Sequence, residues 1–310
     1  MNRRAIVVGL GSIGQRHARL LKEFGLTIAT VSLRPDVGEF SSVADAVRSY
    51  PDALLVIASE TARHMSDLRA ARLAGHRGWA VVEKPLAINC DDLQYPAPTD
   101  DVYVAYNLRF SPPVMALRAA LANRNETALA VRMHVGQHLD SWRPGSDTAA
   151  GYSAHAARGG GVLRDLSHEL DLSNWLWGRT TGVCALGGRR AAVTVDSDDC
   201  WTILMKTVAG TDVALSLNYL DRPATRYIHV NTARSTYQAD LVRGTLAIDG
   251  ETSHIPGDRD ASYRAMWSSI LASRDKGMPA AACSFSEGAE IVTLIADCEN
   301  SARGQLWVKR

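Results

Sequence analysis

The sequence is short of the features that most quickly give a protein class away. No apolar run approaches the roughly 20 residues needed to cross a bilayer, so no membrane span is expected. Asn2-Arg3-Arg4 ahead of an apolar run has the look of a secretion signal. Glycines and then Gln15, Arg16 and His17 break that run too soon, so none is expected. Excess charge is missing too: 34 Lys and Arg stand against 33 Asp and Glu, giving +1 with no basic block. Nothing in that balance steers the chain to nucleic acid or to an anionic membrane surface. There is no C-x-x-C pair. The five cysteines, Cys90, Cys184, Cys200, Cys283 and Cys298, are dispersed and odd in number, as expected for reduced thiols filling core space in a cytoplasmic protein. Internal repeats and low-complexity stretches are absent as well. What remains is an ordinary globular composition, 46% apolar and 22% charged over 310 residues, long enough for two domains with a core each.

The informative stretch is Ala5 to Leu20. A short β-branched strand, Ala5 to Val8, runs into Gly9, Gly11 and Gly14 in G-x-G-x-x-G spacing. A helical segment follows in which Ile13, His17, Leu20 and Leu21 recur at steps of three and four. Gly9 permits the tight turn, Gly11 lets the backbone approach a pyrophosphate, and Gly14 lets helix pack on strand. Backbone N–H groups of Ser12, Ile13 and Gly14 then face the phosphates at the positive end of the helix dipole. A second strand, Leu26 to Leu33, arrives at the expected distance and ends without an acidic residue. Ser32 and Arg34 stand there instead, which favours the 2′-phosphate of NADP over the bare ribose of NAD; the other reading is that Arg34 stacks on adenine in either cofactor.

Strands and helices go on alternating. Ser42 to Ser49 reads as a helix with a serine cap, and Ala53 to Ala58 as a buried parallel strand. Ser59 leads into a helix carrying His64, Leu68, Ala71 and Leu73. Ala80 to Val82 is a strand ending directly in Glu83-Lys84-Pro85, and Val102 to Tyr106 is another. This pattern predicts a Rossmann-type parallel sheet with ligands at the strand carboxyl ends, so that Ser59, His64, Glu83 and Lys84 are expected on the cofactor side. Pro112 and Pro113 forbid continued regular structure, which sets the expected boundary: residues 1–112 bind the dinucleotide and residues 113–310 form a substrate and oligomerisation domain. In that second domain Leu129 to His138, Thr202 to Val208, Val213 to Tyr219, Ile228 to Asn231, Thr236 to Asp240 and Thr245 to Ile248 read as strands. They predict an open, mainly antiparallel sheet in an α+β domain, with one long helix, Gly161 to Trp177, inserted before most of them. Helices at Tyr263 to Lys276 and Glu287 to Ala302 complete the chain, the last packing on a sheet face or returning to the first domain. The open sheet face is expected to be apolar by alternation and to build a homodimer or homotetramer.

Taken together, Gly9-Leu10-Gly11-Ser12-Ile13-Gly14, Glu83-Lys84-Pro85, Asn107-Leu108-Arg109-Phe110, the glycine-rich run Gly159 to His168, and Glu299 to Gly304 resemble the Gfo/Idh/MocA oxidoreductases over nearly the whole chain. The resemblance implies an NAD(P)-dependent dehydrogenase or reductase acting on a hydroxyl of a sugar, nucleotide-sugar or polyol. It also implies that Lys84 touches both the nicotinamide ribose and the reacting hydroxyl, and that Asp165 and His168 are the aspartate and histidine of the second domain. The spacing departs from the family: Asp165-Leu166-Ser167-His168 is one residue tighter than D-x-x-x-H. Both spacings put the pair on one helix face, and Glu169 occupies the wider position.

The chemistry agrees with that assignment. A base must take the hydroxyl proton as hydride leaves the carbinol carbon, and His168, with an ordinary pKa near ~6.5, suits the task. Asp165 fixes its tautomer or binds a neighbouring hydroxyl, and the Lys84 ammonium favours the developing alkoxide. Asn107 and Arg109 either position cofactor or substrate or bind backbone at the domain junction. Trp142, Tyr152 and Arg158 are the expected substrate contacts in the segment from Leu139 to Gly161, the alternative being a mixed surface loop. No metal is expected: His134 and His138 lack a third ligand, and Asp196 to Asp199 reads as a turn. Two rival readings stay open, glycoside cleavage by transient oxidation with a tightly held cofactor, and a cofactor-sensing protein without turnover.

Overall fold

A computed structural model describes residues 3–94, 100–141, 151–191, 193, 195–273 and 281–310. In chain order the elements are β1 (Arg4–Val8), α1 (Ser12–Glu23), β2 (Thr27–Val31), α2 (Val43–Ser49), β3 (Leu54–Ile57), α3 (His64–Leu73), β4 (Ala80–Val82), β5 (Val102–Val104), α4 (Pro112–Asn123) and β6 (Ala130–Gly136). Then come α5 (Val162–Asp165), α6 (His168–Trp177), β7 (Thr180–Gly188), β8 (Cys200–Thr207), β9 (Asp212–Asn218), β10 (Thr225–Asn231), β11 (Thr236–Asp240), β12 (Thr245–Ile248) and β13 (Glu251–His254). The chain ends with α7 (Ala261–Ser273), β14 (Cys283–Ser284), α8 (Phe285–Gly304) and β15 (Val308–Lys309). The contacts divide the chain into two compact units, Met1–Tyr106 with Tyr263–Val292, and Asn107–Ser262 with Thr293–Arg310.

The first unit is built on a six-stranded sheet in the order β14-β5-β4-β3-β1-β2, parallel except for β14. Its strands are short and apolar because they are covered on both faces: all of β3, β4 and β5 is buried. From β1 the chain passes to β2 on one side and to β3 on the other. That reversal opens a crevice at the carboxyl ends of the strands, and the glycine turn after β1, Ser32 after β2, Ser59 after β3 and Lys84 after β4 all lie at those ends. The second unit carries a nine-stranded sheet, β13-β12-β11-β10-β6-β9-β8-β7-β15, antiparallel except where β6 pairs with β9.

Three expectations are corrected here. Pro112 and Pro113 do not end regular structure; they open α4. A proline in the first turn loses nothing, since its missing N–H has no partner one turn back. The single helix foreseen from Gly161 to Trp177 is two, α5 and α6, joined through Leu166 and Ser167. At that joint the bonds Ser167 N–H to Arg164 C=O and Glu169 N–H to Leu166 C=O tighten to three-residue steps. The open face of the second sheet is mixed and not apolar throughout, with Leu186 and Leu204 exposed among polar residues. Along β8 the buried Trp201, Ile203 and Met205 alternate with exposed Thr202, Leu204 and Lys206, and the same face carries Arg132 and His134 on β6 and Tyr227 and His229 on β10. The alternation is real, but it is the covered face that is apolar.

The sequence reading also passed over β7, where Gly182, Gly187 and Gly188 lower the strand signal. Two of these glycines make room for rings: a Cβ at Gly182 would collide with the indole of Trp307, and one at Gly187 with that of Trp201.

Candidate active site

In the first unit the glycine turn separates two kinds of glycine. A Cβ at Gly14 would collide with the Gly9 carbonyl oxygen, so helix and turn can close on each other only without a side chain. Gly11 is different. Beyond its own chain neighbours, no atom of the described residues lies within 4 Å of the place its Cβ would take, and its φ of −73° is open to any residue. The protein has no steric use for a glycine there; an incoming ligand pressed against the backbone would. Gly11 caps α1 with no side-chain hydrogen bond and with no acidic residue in the first turn, so the N–H groups of Ser12 and its successors keep their donor capacity and the helix dipole is uncancelled. Gly11 and Ser12 are exposed and Ile13 is half-buried. These are the features a pyrophosphate needs, and the residues present fit a dinucleotide.

The remaining residues expected on the cofactor side divide in the same way. Arg34 is exposed, and its guanidinium donates to the Leu10 carbonyl inside the glycine turn at 2.9 Å. Its N–H donates to Ser32 Oγ at 3.1 Å. Lys84 is half-buried at the end of β4. Three others have their polar atoms committed inside the unit. Ser59 Oγ donates to Asp67 at 2.7 Å, and Glu83 is buried against His17 at 2.8 Å. His64 places its two ring nitrogens against the carbonyls of Pro85 and Ser59 at 2.9 and 3.0 Å. Burial pushes the His64 pKa down, against those carbonyls, which raise it. Ser59, His64 and Glu83 thus make these side-chain bonds within the first unit.

In the second unit the run Gly159 to Gly161 leads into α5 under tight constraint. Gly161 has φ of +120°, and a Cβ there would run into the Asp198 carboxylate. Asp198 holds the start of α5, accepting from the Leu163 N–H at 2.8 Å and from Trp201 Nε1 at 2.7 Å while its carbonyl accepts from the Val162 N–H at 2.9 Å. Burial raises its carboxyl pKa, with those donors pulling the other way. The acidic run read as a turn is thus what anchors α5.

Asp165, at the end of α5, is buried and accepts two phenols: Tyr219 Oη at 2.7 Å and Tyr152 Oη at 3.0 Å, one on each carboxylate oxygen. Burial, then the Asp165 charge, pushes the Tyr219 phenol well above its usual range, so it remains a donor. Tyr219 escaped the sequence reading because it looks like the last apolar residue of a strand. His168 opens α6 and is buried. Because α5 and α6 are separate, Asp165 and His168 do not share the face of one helix.

Glu169 and Arg109 turn out to be occupied elsewhere in the unit. Glu169 is gripped by Arg226 in a two-bonded pair at 2.7 and 2.8 Å. Arg109, buried in the one-turn helix Asn107–Phe110, forms the same kind of pair with Asp171 of α6 at 2.7 and 3.0 Å. Asn107 donates to Ser262 at 2.7 Å. Arg158 ends a one-turn helix and is half-buried. Trp142 lies outside the described residues. Among the described residues no three His, Cys, Asp or Glu gather as a metal ion would require, and His134 faces Asp221 at 2.7 Å.

Comparison with known proteins fits this geometry. The sequence model of the GFO/IDH/MocA C-terminal domain matches residues 127–239. A search of curated protein sequences gave no match. Among solved structures, a levoglucosan dehydrogenase in complex with NADH superposes with a TM-score of 0.83 at 18% identity, covering 100% of this chain and 99% of that one. The WlbA dehydrogenase of Bordetella pertussis, in complex with NADH and UDP-GlcNAcA, gives 0.81 at 18% identity over 100% and 99%. An oxidoreductase from Thermotoga maritima gives 0.83 at 14% identity over 100% and 98%. At such identities the likeness is one of fold.

Proposed function

We propose that this chain, whose residues 127–239 match the GFO/IDH/MocA C-terminal domain, is a nicotinamide-dependent dehydrogenase or reductase acting on a hydroxyl or carbonyl carbon of a sugar, nucleotide-sugar or polyol. One observation carries the reading. In a single parallel sheet, a glycine that the protein itself does not need opens an uncapped helix, and a lysine stands at the carboxyl end of another strand. Gly9, Gly11, Ser12, Ile13 and Gly14 would hold the pyrophosphate, with Ser32 and Arg34 at the adenosine ribose. When bound, the nicotinamide accepts hydride from the carbinol carbon or returns it to the carbonyl.

The chain supplies the rest. His168 takes the hydroxyl proton as the carbon–hydrogen bond breaks and gives it back in reverse. The Lys84 ammonium stabilises negative charge growing on that oxygen. Asp165, already accepting from two phenols, serves as an acceptor for a substrate hydroxyl and leaves proton transfer to His168. Tyr152 contributes through Asp165, and Arg158 would meet an anionic substituent of the substrate. Asn107 and Arg109 hold the second unit together through Ser262 and Asp171.

The absence of an acid after β2, with Arg34 exposed there, favours NADP. Titration with NADH and NADPH by fluorescence tests this, and Arg34→Ala should weaken NADPH more than NADH. A homodimer or homotetramer belongs to the same proposal, and light scattering tests it. Sugars and sugar nucleotides are then screened by the absorbance of the reduced nicotinamide. Lys84→Met or His168→Ala should cut turnover by at least about 100-fold with cofactor binding retained. Turnover near wild type in either variant removes that residue from the mechanism. Stoichiometric release of reduced cofactor marks a dehydrogenase, whereas a redox-assisted glycosidase recycles it and a sensor makes none.

A further inference from the structure

Behind the Lys84 turn runs a buried line of polar groups, all in the first unit. Trp267 Nε1 donates to His17 Nδ1 at 3.1 Å, and His17 Nε2 meets Glu83 Oε1 at 2.8 Å. Glu83 Oε2 in turn accepts the backbone N–H of Lys84 at 3.1 Å. His17 and Trp267 are 0% exposed and Glu83 is 8% exposed. An indole nitrogen can only donate. Nδ1 of His17 is therefore an acceptor without hydrogen, and Nε2 carries the proton and donates it to Glu83. The imidazole also meets the rings of Trp267 and Tyr263 edge-on, at centroid separations of 5.3 and 5.6 Å, which fixes its plane.

This line joins the elements that matter. His17 lies on α1, one turn beyond Gly14, and Trp267 lies on α7. A single carboxylate thus ties the helix that begins at the glycine turn to the peptide that carries Lys84. Burial alone would favour a neutral Glu83. The hydrogen bond from His17 and the nearby Lys84 charge outweigh it and hold the carboxyl below its ordinary range, so the negative charge persists beside the lysine. A residue needed only to fill space there would be apolar, since an ionised side chain is costly to bury.

We propose that Trp267, His17 and Glu83 form a positioning relay that fixes the tautomer of His17, and through the Glu83 carboxylate holds the backbone and charge environment of Lys84. Glu83 then acts on the lysine, and does not contact the cofactor as its place beside Lys84 suggests. The proposal rests on the reading of Lys84 as the group that meets the substrate hydroxyl.

The test uses the full chain with Glu83→Gln, Trp267→Phe and the pair combined. In the wild type, imidazole ¹⁵N resonances should report His17 as neutral with the proton on Nε2, and only the combined Trp267→Phe, Glu83→Gln variant, which removes both constraints, should lose that single tautomer. Hydrogen exchange at the Lys84 amide should quicken in Glu83→Gln. Each single variant should lower kcat about tenfold or more while NADH affinity stays within about twofold, and the double variant should cost little beyond either one. The alkaline limb of the pH–rate profile should move to lower pH in Glu83→Gln, because the carboxylate that favours the charged lysine is gone. An Nδ1-protonated His17, an unmoved pH profile, or a loss of NADH affinity in place of kcat overturns the relay. Glu83→Gln, nearly the same shape, keeps the test decisive if Trp267→Phe folds poorly. Full turnover in Lys84→Met would instead overturn the reading of Lys84, which separates the two failures.

Discussion

At the scale of single residues, much of the chemistry depends on which polar atoms already have partners. Asp165 is the sharpest case, because a carboxylate accepting a phenol on each oxygen is oriented before any substrate arrives. Tyr219→Phe should keep the fold and the cofactor affinity and lower kcat by roughly tenfold, the worth of one charge-assisted hydrogen bond. Steady-state kinetics beside a cofactor titration will check this, and an unchanged kcat would leave Tyr219 as packing only. His76 supports a prediction about pH. Buried beside β3, it donates from Nε2 to the Ala53 carbonyl at 2.9 Å while Nδ1 accepts from Arg72 at 3.2 Å. Burial, joined by the Arg72 charge and opposed by the Ala53 carbonyl, Asp101 and Asp52, holds its pKa below the ordinary 6.5. Below that value the unfolded chain binds a proton that the folded chain refuses, so stability is present above pH 6.5 and is lost as pH falls. Burial depresses His64 as well, adding to the same slope. Thermal unfolding from neutral to mildly acid pH should show the loss, and His76→Gln should make it shallower.

At the scale of elements, the two kinds of glycine separate folding from binding. Gly14→Ala forces a methyl group onto the Gly9 carbonyl and should lower the unfolding temperature; Gly11→Ala meets nothing of the protein and should leave it unchanged while weakening NADH binding. Equal loss of stability in both would sink the claim that Gly11 is kept clear for a ligand. The same scale shows where local pattern is legible. The strand-glycine-helix sequence and the position of Lys84 could be read directly, because each needs only neighbours in the chain. The joint between α5 and α6 could not. The i, i+3 and i, i+4 pattern runs straight across Leu166 and Ser167. What breaks the helix is distant: Asp198 holds the start of α5, while Arg109 and Arg226 grip the first turn of α6. Pro112 and Pro113 misled for the opposite reason, since a proline's effect depends on whether it falls in a helix's first turn or its interior.

For the whole molecule, a bound dinucleotide should raise the unfolding temperature, because only the folded state offers it a site. At a concentration about 100 times Kd the gain is about 2.7 kcal/mol. A thermal scan with NADH and NADPH that shows no shift for either would remove the cofactor from the proposal. Among the described residues no helix is long and apolar enough to cross a membrane. By itself the sequence determined the alternation of short apolar strands with helices, the glycine turn, and the residue types presented at strand ends, because periodicity and turn chemistry act within a few residues. Only tertiary structure decided which polar groups were already spoken for: Glu83 by His17, Glu169 by Arg226, Arg109 by Asp171, and Asp165 by a tyrosine 54 positions away. Those pairings form between segments remote in the chain, where burial makes an unpartnered charge costly, and no local pattern carries that information.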